Sequence, residues 1–131
     1  MTDDASTVRL WHTLTVQDAD AMIAWFGAIG LTEHATYRDE KDPSVVHHAE
    51  WLWSGGGGIM FGTQLPESGL QGVGPAACYL VTEDPQAVFD AAVAAGATVE
   101  RPMVEQDYGG TSGSVRDPEG NHWSFGSYQP S

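Results

Sequence analysis

Positive charge is what this sequence has least of. Lys and Arg together number 5 among 131 residues, against 18 Asp and Glu, a formal net charge of −13 with histidine neutral. Binding to DNA or RNA needs a basic face that neutralises phosphates, so a nucleic-acid partner is excluded. The acidic surplus favours solubility and attracts cationic ligands. Cysteine occurs once, at Cys78. No intramolecular disulfide can form, and a lone thiol fits a reducing compartment. Its expected role is that of a small buried hydrophobe. No apolar run approaches the length of a membrane span. The N-terminus MTDDASTVRL has no basic region leading into an apolar one. These absences predict a soluble cytoplasmic protein with no membrane partner. A G-x-S-x-G nucleophile elbow is missing. The run Gly55 to Gly58 is followed by neither Lys-Ser/Thr nor a helical pattern. It reads as a hairpin turn rather than a phosphate cradle.

What the chain does have is tryptophan, 5 residues of it, and a hydrophobic share of 41%. That share is too high for disorder and sufficient for a core. Residues 1–7 are polar and read as frayed. Val8 to Gln17 alternates, with Val8, Leu10, His12, Leu14 and Val16 on one face and Arg9, Trp11, Thr13 and Thr15 on the other. Asp18 is a helix N-cap, Met22, Ile23, Phe26 and Ile29 form an apolar stripe, and Gly30 is the stop. Strands follow at Thr32 to Tyr37, Val45 to Trp53 and Ile59 to Thr63. Residues 64–75 hold three Gly and two Pro and read as a linker. The order then recurs: strand Ala76 to Glu83, Asp84 as cap with Pro85 at the first helical position, helix to Ala95, Gly96 as stop, strand Thr98 to Val104. A loop, Glu105 to Gly113, contains Tyr108. The chain closes with VRDPEGNHWSFGSY, residues 115–128, as strand, turn and strand. Asp117-Pro118-Glu119-Gly120-Asn121 supplies the turn chemistry.

The recurrence is an internal repeat. A shift of 66 pairs Leu14 with Leu80, Asp18 with Asp84, Gly30 with Gly96 and Thr32 with Thr98. A shift of 64 pairs Ile59-Met60-Phe61-Gly62 with Trp123-Ser124-Phe125-Gly126. Each half reads β-α-β-β-β. A half this small cannot bury both faces of its sheet. The predicted fold is α+β: two tandem βαβββ modules whose mixed or antiparallel curved sheets enclose a cavity, with the helices outside. The expected organisation is one domain over 1–131, with module 1 at about 8–63, linker 64–75 and module 2 at about 76–128.

This repeat and its closing hairpin resemble the vicinal-oxygen-chelate superfamily, the glyoxalase, bleomycin-resistance and extradiol-dioxygenase group, over nearly the whole chain. In metal-using members, the first and last strands of each module offer His, Gln or Glu to a divalent ion. Carried over residue by residue, those positions hold Trp11, Met60, Ala77 and Ser124. None is imidazole, carboxylate or thiolate. The resemblance therefore implies no metal and no cofactor. His12 lies one residue away, and the period of two turns it toward the helix.

The cavity-facing set reads as aromatic and soft. Trp11, Thr13, Tyr37, His48, Glu50, Leu52, Met60, Tyr79, Tyr108, Arg116 and Ser124 are the candidate ligand-binding residues. The register that supports His48, Glu50 and Leu52 sends Trp51 and Trp53 to the helix side, and a slip of one residue reverses both. No residue is assigned a catalytic role. The resemblance points to the metal-free bleomycin-resistance-like members, which sequester a drug. The implied partner is a planar aromatic, antibiotic-type small molecule, and the implied assembly is a homodimer. The alternative is an enzyme of the same fold, an isomerase or lyase working through Glu50 and His48 or through a metal site of another kind.

Overall fold

The computed structural model describes residues 5–66, 76–107 and 109–130. The chain divides into two compact units, Met1–Gly74 and Pro75–Ser131. Most of the predicted linker, and Tyr108, lie outside the described residues.

Unit 1 runs β1 (Trp11–Val16), α1 (Ala19–Ile29), β2 (Thr32–Arg38), β3 (Val46–Leu52) and β4 (Gly58–Thr63). Its sheet has the order β1-β4-β3-β2, with β1 parallel to β4 and the other pairs antiparallel. Unit 2 repeats the plan: β5 (Ala77–Val81), α2 (Pro85–Ala94), β6 (Thr98–Glu105), β7 (Thr111–Arg116) and β8 (His122–Gly126). Its order is β5-β8-β7-β6, again with only the first pair parallel. Both sheets are open and mixed, so the α+β, twice-βαβββ prediction holds. No helix among the described residues is long and apolar enough to cross a membrane.

Local chemistry sets the helix limits. Asp18 accepts a hydrogen bond from the Ala21 amide at 3.1 Å, and Asp84 does the same for Ala87 at 3.1 Å. Gly30 ends α1 at φ 112°, with the Leu31 amide returning to the Phe26 carbonyl. One stripe of α1, Met22, Trp25, Phe26 and Ile29, is buried. Phe26 meets Phe61 of β4 at a centroid distance of 4.9 Å. Each such ring or aliphatic chain taken from water is worth roughly 1.5–3 kcal/mol, so this stripe ties helix to sheet. In unit 2 the same layer holds Phe89, Ala92, Val115, Trp123 and Phe125, all buried.

Several strand limits differ from the sequence reading. The first strand starts at Trp11, not Val8, and Leu10 is 82% exposed instead of facing the helix. The cause is pairing: β4 begins at Gly58, opposite Trp11, so residues 8–10 have no neighbour to join. They follow a short 3-10 turn, Ala5–Thr7, whose Ala5 carbonyl accepts from the Val8 amide. The third strand ends at Leu52, because the Trp53 amide closes the Gly55–Gly57 turn onto the Gly57 carbonyl. The loop before the last hairpin is shorter than predicted, with β6 reaching Glu105 and β7 starting at Thr111. The last strand stops at Gly126.

Candidate functional site

Register decides what each sheet offers on the face away from its helix. In unit 1, His12 pairs with Ile59, and Ile59 with Trp51. Ile59 and Trp51 are buried, and Trp51 reaches toward Gly27 of α1. Trp53 lies against Gly30. This row is the helix side. His12 belongs to it, and burial lowers its pKa from 6.5. The next row, Thr13–Met60–Glu50–Ala35, therefore faces away. The row Trp11–Gly58–Leu52–Thr32 faces the same way. The predicted register of the third strand is the one observed, with His48, Glu50 and Leu52 on the open face.

Trp11 keeps its place through a glycine. A Cβ at Gly58 would stand 2.5 Å from Trp11 Cζ3 and 2.8 Å from the Trp51 carbonyl oxygen. The indole ring thus rests on the backbone of β4. Tyr79 rests on Gly126 in the same manner in unit 2, and its hydroxyl donates to the Tyr128 carbonyl at 2.8 Å.

Glu50 is the chemical centre of the open face of unit 1. His48 Nε2 donates to Glu50 Oε2 at 2.9 Å, and His34 Nε2 stands 3.9 Å from Oε1. The Glu50 side chain is 29% exposed. Tyr37 stacks on His48, with centroids 6.3 Å apart and planes 18° off parallel. Beside this group is an open recess of about 230 Å³ lined by Thr13, Thr15, His48, Met60 and Gly62, among others. Drug-sized pockets run to about 300–1,000 Å³, so this recess alone is small and suits a ligand of two or three fused rings.

A β-bulge at His34 brings Tyr37 into this group. Pairing shifts between Glu33 and Ala35, which leaves His34 as the extra residue of β2. Strict alternation from Thr32 would turn Tyr37 toward the helix. The bulge returns it to the open face, opposite His48. Sequence reasoning did not single out His34 as a site residue. The signal it had was the repeat, since the shift of 66 pairs His34 with Glu100, and Glu100 is the extra residue of the matching bulge in β6.

In unit 2 the open face carries a different constellation. Arg116 Nε donates to Glu100 Oε2 at 2.9 Å, and His122 Nδ1 to Oε1 at 2.8 Å. Those two bonds, from His122 first and Arg116 second, hold the Glu100 carboxyl below its usual 4.5. Ser124 shares a hydrogen bond of 2.8 Å with Ser114. Of the eleven predicted binding residues, Thr13, Tyr37, His48, Glu50 and Met60 cluster on one face of unit 1. Trp11 lies on that face. Leu52 belongs to it too, but at 6% exposure it is buried in the sheet surface. Tyr79, Arg116 and Ser124 share the open face of unit 2. Tyr108 is outside the described residues.

A family model described as the glyoxalase/bleomycin resistance protein/dioxygenase superfamily matches residues 9–125. The chain belongs to this superfamily. Among solved structures, TioX from Micromonospora sp. ML1 is similar at a TM-score of 0.72 and 24% identity, over 92% of this chain and 100% of that one. A glyoxalase / bleomycin resistance protein from Catenulispora acidiphila DSM 44928 is similar at a TM-score of 0.63 and 21% identity, over 92% and 97%. At these identities the likeness is one of fold. An uncharacterized protein of Mycobacterium bovis is 38% identical over 65 residues, 50% of this chain and 42% of that protein. The match thus takes in less than half of that relative's length.

The superfamily's metal chemistry can be tested against the donors present. Trp11 offers a ring, Met60 a thioether, Ala77 a methyl group, and Ser124 a hydroxyl already shared with Ser114. Divalent ions in this fold need imidazole, carboxylate or thiolate groups, so these residues do not fit one. Among the described residues no group of three or more His, Cys, Asp and Glu is arranged to hold a metal ion.

Proposed function

We propose that this superfamily member is a small-molecule binding protein of the bleomycin-resistance-like kind. It confers resistance by sequestering a planar, antibiotic-type aromatic compound, without metal and without chemical change to its ligand. It acts as a cytoplasmic homodimer. The observation that carries this reading is the exchange of ligand donors for Trp11 and Met60, on one open face beside Thr13, Tyr37 and His48. Stacking on an aromatic ring adds roughly 0.5–1.5 kcal/mol beyond area burial. A thioether against a ring adds a similar amount, about 0.3–1.5 kcal/mol. Several such contacts with apolar burial reach a useful affinity without any reacting group.

The test is a titration of intrinsic tryptophan fluorescence with bleomycins, enediynes and anthracycline-like compounds. Stoichiometric quenching with the compound recovered intact is the expected result. A flat titration across that panel would sink the reading.

One observation favours a second reading. The Glu50–His48 pair, at 2.9 Å on a partly exposed face, has the geometry of a general acid/base dyad. An enzyme built on it would return a chemically altered compound after incubation. Mass spectrometry of the recovered ligand separates the two readings.

A further inference from the structure

The two open faces handle their carboxylates differently. In unit 2, Glu100 has a permanent cation: Arg116 donates to one oxygen while His122 donates to the other. In unit 1, Glu50 has two imidazoles in those roles, His48 at 2.9 Å and His34 at a loose 3.9 Å. Among the described residues, no Lys or Arg pairs with Glu50. The unit's arginines are engaged elsewhere: Arg38 with Asp20 at 3.0 Å and the Pro43 carbonyl at 2.7 Å, and Arg9 with the Ser6 carbonyl at 3.0 Å. Its neighbours along the row, Thr13, Met60 and Ala35, are uncharged. Glu50 is thus a half-buried carboxylate with no fixed positive charge beside it, bonded to His48 and paired across the sheet with Met60, both of which line the recess.

Leaving such a carboxylate uncompensated is costly, and a cation beside it recovers much of that cost. The 3.9 Å gap at Oε1 leaves a lone-pair direction open to a donor closer than His34. We infer that the open face of unit 1 takes a planar cation, an aromatic ring bearing a protonated amine, amidine or guanidine-like group whose N–H donors pair with Glu50. The ring lies in the recess against Met60, Thr13 and His48. The inference rests on the binding-protein reading and names the charge and shape of its ligand. The acidic surplus of the chain assists at long range, but the selectivity is local to Glu50.

The experiment pairs two flat dyes of the same skeleton, 9-aminoacridine, which is cationic at pH 7.5, and acridine, which is neutral there. Each is titrated calorimetrically into the full-length protein and into Glu50→Gln and Glu33→Gln variants. Glu33 pairs with Trp51 on the helix side of the same sheet, so its variant removes one charge without touching the recess. The cation is expected to bind about tenfold or more tighter than acridine, and Glu50→Gln to remove that margin while Glu33→Gln keeps it. Equal binding of both dyes would overturn the inference while leaving the planar-ligand reading intact. Equal losses in Glu50→Gln and Glu33→Gln would also overturn it, by showing a general field in place of a local pair. Binding of neither dye would overturn the inference together with the reading beneath it.

Discussion

Replacing Asp117 by asparagine changes one atom, yet it should destabilise unit 2 as the loss of two buried hydrogen bonds does. Asp117 is 4% exposed in the turn between β7 and β8. Its Oδ1 accepts from the Glu119 amide at 2.8 Å and the Asn121 amide at 3.0 Å. Its Oδ2 accepts from Asn121 Nδ2 at 3.0 Å and Trp123 Nε1 at 2.9 Å. All four partners are donors, two on each oxygen. Asparagine has one oxygen and one NH₂ group. Whichever way its amide flips, the NH₂ faces two N–H groups, and both lose their acceptor. Each buried donor left unsatisfied costs about 1–3 kcal/mol, so the expected loss is about 2–6 kcal/mol. Asn121 extends the damage, since its Oδ1 accepts from the Ala76 amide at 3.2 Å, where β5 begins. The assay is urea denaturation followed by tryptophan fluorescence and far-UV circular dichroism, with Asp117→Asn and Asp117→Ala compared. A stability for Asp117→Asn within about 0.5 kcal/mol of wild type, the range of an ordinary surface change, would refute the reasoning.

Three further outcomes follow from geometry already described. Gly58→Ala forces a methyl group against Trp11 and the Trp51 carbonyl oxygen, and should destabilise unit 1 by about 1–3 kcal/mol in the same denaturation assay; an unchanged midpoint would show that Trp11 does not rest there. His12 protonates less readily folded than unfolded, so below its ordinary 6.5 the unfolded chain takes up a proton first. Its contribution to stability should fall as pH drops from 6.5 and level off below the lowered folded value. The difference between wild-type and His12→Gln stability curves measures this, and a flat difference from pH 8 to 5 would contradict the burial. Burial pushes the Cys78 thiol up to about 11. At pH 8 the native thiol is on the order of 0.1% thiolate against roughly a quarter for a free cysteine, so labelling by a disulfide reagent should be slow until denaturant is added; rapid labelling of the folded protein would count against it.

Much of the frame was legible because it is written in local chemistry. Asp18 and Asp84 cap helices through side-chain oxygens that accept from an amide three residues on, a relation any reader of the chain can see. Trp25, three residues after Met22, belongs to the buried stripe by the same helical spacing, and the pattern carries that signal too. Strand limits were less legible, because a strand ends where its partner ends. Leu10 has the right side-chain type and periodicity for a core position, but β4 does not reach it. The site was legible in its register and not in its contacts. Period-two reasoning from β3 put Glu50 on the face away from the helix, yet Tyr37 meets His48 there only because a bulge in β2 inserts one residue. The Glu100–His122 bond spans 22 residues of sequence, a separation no local pattern carries. A period of two cannot announce where it breaks.

The internal repeat separates two kinds of constraint. Positions that build the frame recur under the shifts: Asp18 with Asp84, Gly30 with Gly96, Phe61 with Phe125, and the two bulges at His34 and Glu100. Positions on the open faces do not. Trp11 answers to Ala77, Thr13 to Tyr79, Leu52 to Arg116 and Met60 to Ser124. Physical chemistry gives the reason. The helix-facing layer must fill a space fixed by close packing, so its summed volume is constrained in both halves: Trp51 beside Ile59 answers to Val115 beside Trp123. An open-face side chain fills no such space, and its identity is free to follow whatever the face must bind. Adjacent residues on one strand, such as Met60 and Phe61, therefore answer to different demands, the first to the ligand and the second to the core. That division explains how the superfamily fold can persist with Trp11, Met60, Ala77 and Ser124 at the four positions compared above, none of them imidazole, carboxylate or thiolate.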